Sequence, residues 1–435
     1  MKKFILLILI IILLFFAYLF IFNNRTIQNA INNLTTSSSQ DKNIKSDKNK
    51  KNSINPKPLP KEKTSNPKPK DLIQEEINSM SLDEKIGQLV ISGVEGTSID
   101  PTIKDFIQKK YIGGVIFFSR NVSTAQQVLN LTNSIKNTNK SNKIPLFISV
   151  DEEGGLVSRL PKEFIKLPKN SYIGKIDNPK FSYDIGKSIG KEISALGYNM
   201  DFAPVMDINS NPKNPVIGTR SFGNNEKIVS ELGVATMKGL QSENIIPVIK
   251  HFPGHGDTSV DSHIGLPIVN NGLNRLNNFE LVPFKSAINN GADVVMVSHI
   301  LLSKLDNQYP ASLSSKIITN LLRKQLNFKG VIITDDMTMG AISKNYGIGD
   351  AAVKSLLAGS DIILVCHEYD NVTKVLDSIK LAVKDNVISE QRINQSLYRI
   401  LSLKEKYKLN NNSINNLNIN DVNTYIKSIL NKFTK

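Results

Sequence analysis

A chain of 435 residues holds one large domain or two ordinary ones and has enough surface to bury a full core. Its net charge of +15 would suit a nucleic acid, but residues 1–70 carry thirteen Lys and Arg against three Asp and Glu, so ten of the fifteen charges sit there. No aromatic residue stands between positions 23 and 70, which argues against a nucleic-acid surface and leaves a solvated tether or, as the alternative, a contact with anionic wall polymer or lipid headgroups.

Lys2 and Lys3 precede an uncharged apolar run, 4–22, whose 19 residues can just span a bilayer core of ~30 Å as a helix. No A-x-A-like site follows closely, so residues 1–22 read as an uncleaved transmembrane anchor with the rest of the chain exported. A cleaved signal segment is the alternative. Residues 23–70 hold almost no apolar residue and end in Pro-Lys alternation, the composition of a disordered linker. Cys366 is the one cysteine, so no intramolecular disulfide forms and the fold rests on its core.

Ser81-Leu-Asp-Glu84 is a capping box and starts a helix. Eight short apolar runs follow, at 89–92, 114–119, 146–150, 200–206, 245–249, 294–297, 330–334 and 362–365. They do not alternate, as strands buried on both faces do not, and the gaps between them are long enough for crossover helices. The pattern predicts an α/β chain with a single (β/α)8 TIM-type barrel over 71–409, preceded by the anchor and linker. An open doubly wound sheet is the alternative, but no Gly-rich nucleotide fingerprint follows the first run. Residues 410–435 read as a C-terminal extension, too short for a domain.

A barrel places its reactive residues just past the carboxyl ends of its strands. Arg120, Asp151-Glu-Glu153, Asp207, Lys250-His251, Ser298-His299, Asp335-Asp336 and His367-Glu368 all fall there. The segment from Lys250 to His263 carries three histidines, two aspartates and a lysine. One use is zinc, through His251 and His255, although Pro253, Gly254 and Gly256 argue against the helix that such spacing needs. The other is a loop in which Asp261 and His263, two apart in extended backbone, form a carboxylate–imidazole pair for proton exchange. Asp335 and Asp336 end a buried strand, where two carboxylates are costly unless paired or facing a wet cleft. Asp336 suits the cap of the next helix, and Asp335 suits a nucleophile.

Six motifs stand in order: Leu82-Asp-Glu-Lys-Ile-Gly-Gln-Leu89, Val150-Asp-Glu-Glu-Gly-Gly155, Phe202-Ala-Pro-Val-Met-Asp207, Thr219-Arg-Ser-Phe-Gly223, Lys250-His-Phe-Pro-Gly-His-Gly256 and Gly330-Val-Ile-Ile-Thr-Asp335. Through them the chain resembles family 3 glycoside hydrolases, in the subgroup of bacterial β-N-acetylglucosaminidases that act in peptidoglycan turnover. The resemblance implies a retaining exo-hydrolase of β-linked GlcNAc, with Asp335 as nucleophile, His263 as acid/base and Asp261 as its partner. It implies that Asp151, Arg159, Arg220, Lys250 and His251 hold the sugar, and that no cofactor or metal is needed. The implied partner is a GlcNAc-containing cell-wall glycan or muropeptide, met at the outer side of the cell membrane. Leu156 departs from the pattern, since relatives commonly carry Arg after the Gly-Gly pair. A phosphorylase or β-glucosidase on the same barrel, a non-catalytic wall-binding module and a metal-dependent hydrolase are the competing readings.

Overall fold

A computed structural model describes residues 71–433. The anchor expected at 1–22 and the linker at 23–70 lie outside the described residues. Among the described residues, no helix is long and apolar enough to cross a membrane.

The chain enters on helices α1 (Leu72–Ser79) and α2 (Leu82–Gly87). Helix α2 starts where the capping box places it: Ser81 Oγ accepts the Glu84 N–H at 3.3 Å, and Glu84 Oε2 accepts the Ser81 N–H at 2.7 Å. Strands β1 (Val90–Gly93), β2 (Gly114–Phe117), β3 (Phe147–Val150), β4 (Met200–Asp201), β5 (Ile246–Phe252), β6 (Val294–Val297), β7 (Val331–Thr334) and β8 (Ile363–Val365) follow, each overlapping one expected run. Every residue of these eight strands is buried, which explains the missing alternation.

Neighbouring strands pair in parallel in chain order, and β8 returns to β1 with Ile363 opposite Val90. The last gap is bridged between Ile333 and Ile362, with the Ile362 N–H on the Ile332 carbonyl at 3.0 Å. The result is a nearly closed eight-stranded barrel. Strand β4 is shorter than its run because Pro204 has no N–H for the ladder; a single bridge between Val205 and Lys250 continues the pairing.

Helices cover the outside: α3 (Pro101–Gln108), α4 (Ala125–Thr138), α5 (Pro179–Ala195), α6 (Glu226–Ser242), α7 (Val282–Asn289), the π-wound α8 (Lys316–Gln325), α9 (Ile348–Ala358), α10 (Tyr369–Lys384) and α11 (Glu390–Lys406). Asp100 and Asn178 cap α3 and α5, each followed by Pro at the first helical position. Near the amino ends of the strands, Lys404 of α11 is buried over the Phe147 ring and donates to Gln88 Oε1 and the Gly113 carbonyl.

The stretch after α11 runs along the barrel wall. Ile414 exchanges hydrogen bonds with Asn133, and Asn411 bonds Asn139. Helix α12 (Ile419–Phe433) then buries Ile426 and Ile429 and sets Phe433 against Phe181 of α5, ring centres 4.9 Å apart.

Candidate active site

Strand β7 delivers Asp335 to the open end of the barrel. Its backbone N–H is held by the Val297 carbonyl of β6 at 2.9 Å, and its Oδ1 accepts the Asp336 N–H at 2.8 Å. Burial pushes the Asp335 carboxyl up, but His299, His251, the Asp336 N–H and His263 outweigh it and hold the group below its ordinary value. It is therefore ionised at neutral pH, as a nucleophile must be.

Asp336 does something other than the expected helix cap. Its Oδ1 accepts the N–H groups of Thr338 (2.9 Å) and Cys366 (3.0 Å), and its Oδ2 accepts the Thr338 hydroxyl. It thus ties the β7 loop to the end of β8, and the next helix begins only at Gly340. Below it, His299 is buried between the Ser312 hydroxyl and the Asp336 carbonyl. A carbonyl only accepts, so His299 Nε2 carries the proton, and burial keeps the ring neutral.

The Asp261–His263 pair forms, but on a turn rather than in extended backbone. The N–H groups of Ile264 and Gly265 both reach the Asp261 carbonyl at 3.0 Å, while Asp261 Oδ1 accepts the His263 N–H at 2.9 Å. That curl brings His263 Nδ1 to 2.7 Å from the same oxygen. Burial raises the Asp261 carboxyl, yet its bonds to His263 pull it below the ordinary value. Asp261 therefore accepts, which puts a proton on Nδ1 and leaves Nε2 for exchange.

Two backbone bonds staple this turn to the β7 side of the barrel: Gly340 N–H to the His263 carbonyl (3.2 Å) and Ala341 N–H to the Ser262 carbonyl (3.0 Å). Lys344 Nζ adds a bond to the Ile264 carbonyl at 2.7 Å. From beneath, the buried His255 braces the same loop through Ser262 and Thr258. Burial and the neighbouring His251 push the His255 pKa down to about 4, so it braces as a neutral ring.

Opposite lies an ion lattice. The register of β5 against β6 slips between Ile249 and Phe252, and the residues inside the slip are Lys250 and His251. Lys250 Nζ lies 2.5 Å from Asp151 Oδ1 and 2.7 Å from Glu153 Oε1. Glu153 also takes Arg220 in a two-pronged bond, 2.6 and 2.8 Å. Burial opposes the charge on Glu153, but the two cations win and hold it far below the carboxylate range. Asp207 accepts His251 Nδ1 at 2.6 Å and the His255 N–H at 2.6 Å, which turns His251 Nε2 toward Arg220 at 3.5 Å.

Asp151, Arg159, Arg220, Lys250, His251, His263 and Asp335 all line one cavity of about 190 Å³, with Phe118, Met296 and His367 among the other walls. Asp261 stands behind His263. The histidines expected as possible zinc ligands turn to separate partners, and among the described residues no group of three or more His, Cys, Asp or Glu is placed to hold a metal ion. Sequence reasoning gave Glu153, the hub of the lattice, and Asp207 and His299 only a strand-end position, and gave His255 only a possible zinc-ligand role; Asp207, His255 and His299 orient the rest. Arg120 is spent on the Val94 and Cys366 carbonyls and on His367.

The family model for the glycosyl hydrolase family 3 N terminal domain matches residues 81–403. A beta-hexosaminidase A from Pseudoalteromonas piscicida is 36% identical over 335 residues, 71% of this chain, which spans only 56% of that longer protein. A beta-hexosaminidase from Nitrosomonas eutropha is 34% identical over 74% of this chain and 93% of its own length. A family 3 beta-N-acetylglucosaminidase from Paenibacillus sp. str. FPU-7 superposes with a TM-score of 0.79 at 39% identity, covering 81% of this chain and 69% of that one. With its barrel, its ordered motifs and these relatives, the chain belongs to glycosyl hydrolase family 3.

Proposed function

We propose that this protein is a retaining exo-β-N-acetylglucosaminidase acting on terminal β-linked GlcNAc of peptidoglycan-derived glycan. The observation that carries the reading is an ionised carboxylate, Asp335, and an aspartate-held imidazole, His263, facing one small cavity. In the first half-reaction Asp335 attacks the anomeric carbon, the bond to the leaving oxygen breaks, and protonated His263 supplies the proton that oxygen needs. In the second, neutral His263 takes a proton from water, whose oxygen displaces Asp335 and restores the β-configured sugar. Asp261 stabilises the imidazolium in the first step and fixes the ring's tautomer in both.

Lys250, Arg220, Arg159, His251 and Asp151 supply donors and an acceptor for the sugar's hydroxyls and N-acetyl group. The similarity to beta-hexosaminidases and to a beta-N-acetylglucosaminidase favours GlcNAc over glucose as that sugar. The wall as source of the glycan, and a location on the extracellular side of the cell membrane through residues 1–22, rest on the resemblance and the apolar run alone.

The test is a panel of aryl β-glycosides of GlcNAc, glucose and GalNAc, with product configuration followed by NMR, with and without phosphate. Turnover of the GlcNAc substrate with initial release of the β-anomer supports the reading. An α-anomer, a sugar 1-phosphate or a preference for glucose would replace it.

A further inference from the structure

We propose that Glu152 is a positioning residue for sugar binding: its buried carboxylate clamps the loop that carries Arg159 to the cavity, and protonation loosens the clamp. The inference rests on the reading of Arg159 as a sugar-binding residue. Glu152 lines no part of the cavity and is fully buried behind it. Its Oε1 accepts the Gly154 N–H at 3.1 Å, and its Oε2 accepts the Arg159 N–H at 2.8 Å.

Between those two contacts the chain doubles back. Gly154 bridges Val157, and the Glu153 N–H reaches the Val157 carbonyl at 2.9 Å. Gly154 and Gly155 lie at φ +72° and +60°, and a Cβ on Gly155 would sit 2.5 Å from Lys169 Cβ. One carboxylate therefore holds both ends of the turn. Arg159 itself has little else to fix it: its buried Nε has no partner among the described residues, and its Nη1 makes only a 3.3 Å bond to the Ser158 carbonyl. Its donors are left for a ligand, and backbone bonds to Glu152 set where they point.

The surroundings make this clamp sensitive to protons. Among the described residues, Glu192 of α5 has neither oxygen partnered, the Tyr198 hydroxyl in the turn before β4 has no partner, and Asp201 of β4 accepts the Glu152 N–H at Oδ1 while its Oδ2 has none. Lys250 of β5 and Asp151 act on Asp201 from the cavity side, and the Arg159 charge acts on Glu152 from its own loop. Burial raises all three carboxyls. Glu192 and Asp201 are pushed well above the carboxylate range, and Glu152 is pushed up to about 7 against the pull of the Arg159 and Gly154 N–H groups and the Ser158 hydroxyl. An ionised Glu152 accepts strongly at both oxygens; a protonated one carries hydrogen on one of them and holds the N–H there more weakly. The loop therefore loosens as pH falls through this range.

The experiment uses the full chain with an aryl β-GlcNAc substrate, and GlcNAc itself as a binding probe by calorimetry, at pH 6 and pH 8. In the wild type, KM and the GlcNAc Kd rise severalfold from pH 8 to pH 6. Glu152→Gln has one acceptor oxygen in the same shape; its KM is about tenfold higher and flat across that range, with kcat within about twofold. A Glu152→Gln enzyme with wild-type KM and wild-type pH dependence overturns the inference, whatever happens to its melting temperature. If that variant does not fold, a wild-type GlcNAc Kd that is flat from pH 6 to pH 8 overturns it instead. A wild-type chain that is inactive on β-GlcNAc overturns the functional reading and this inference with it.

Discussion

Asp335 and His263 meet opposite requirements with different surroundings. As the proposed nucleophile, Asp335 must stay charged inside the barrel, and the surrounding histidines with the Asp336 N–H offset its burial. Asp335→Asn keeps the Asp336 N–H partner and the shape, so the melting temperature should barely change while turnover falls by about a thousandfold or more. His263 needs only one fixed nitrogen and a proton. His263→Ala should cost about a hundredfold or more on a glycan, whose leaving oxygen needs that proton, and far less on an activated aryl glycoside. Equal losses on both substrates, measured by steady-state kinetics, would remove it from the acid role.

Asp335 could be read in the sequence because its place depends on strand β7 alone. Glu153 could not: beside Asp151 and Glu152 it is one of three similar acids, and only the fold shows that Lys250 and Arg220 converge on it. The Asp-Glu-Glu-Gly-Gly spacing was the available signal. His299 was visible as a strand-end histidine and His255 as one in the loop after the fifth run, but whether such a ring reacts or braces depends on partners 13 and 7 positions away, Ser312 and Ser262.

At the scale of elements, the site depends on two loops that touch although strand β6 separates their origins in the barrel. The β5 loop carries His263, and the start of the helix after β7 holds it through Gly340 and Ala341. A Cβ on Gly340 would lie 2.5 Å from the His263 carbonyl and 2.9 Å from that of Ile264. Gly340→Ala should therefore shift the turn and imitate loss of the acid. We expect a drop of about tenfold in kcat on glycans, a smaller one on activated substrates, and about 1–3 kcal/mol of stability lost to overpacking in thermal melts. Wild-type leaving-group dependence in this variant would show that the staple is not needed. Such contacts escape sequence reading, since periodicity locates the ends of strands but not which loops meet above them. The same limit explains the turn at 261–265, where the Asx-type bond of Asp261 replaced the extended backbone expected.

For the whole molecule, the eight runs were legible because each is buried on both faces. What they did not reveal is the acid-rich space between β3, β4 and α5, since the runs locate strands while Glu192 comes from a helix, three residues after Ile189 and seven after Ile185 on its buried face. Its folded pKa lies above the ordinary 4.5, so the folded state holds a proton that the unfolded state releases. Its contribution is complete below about 4.5 and declines as pH rises toward the folded value, by at most about 1.4 kcal/mol per pH unit. His255 and Lys404, both lowered, act in the opposite sense, so the total curve is no test of this group. The difference is: Glu192→Gln should match wild type in melting temperature at pH 5 and exceed it at pH 8. A gap that does not change with pH would mean that Glu192 finds a partner in solution.

The two reactive groups also differ in depth. Asp335 sits inside the barrel mouth, whereas the His263 side chain is 64% exposed, on a turn with apolar Val260 and Ile264 facing outward beside it. A sugar held between them is enclosed on its own side and open on the side of the bond to be cut. Whatever hangs from that bond projects into water past a proton donor that bulk solvent can recharge directly. On the proposed reading, recognition is thus concentrated on the sugar that leaves last, and a glycan beyond it could vary in length and decoration without refitting the pocket.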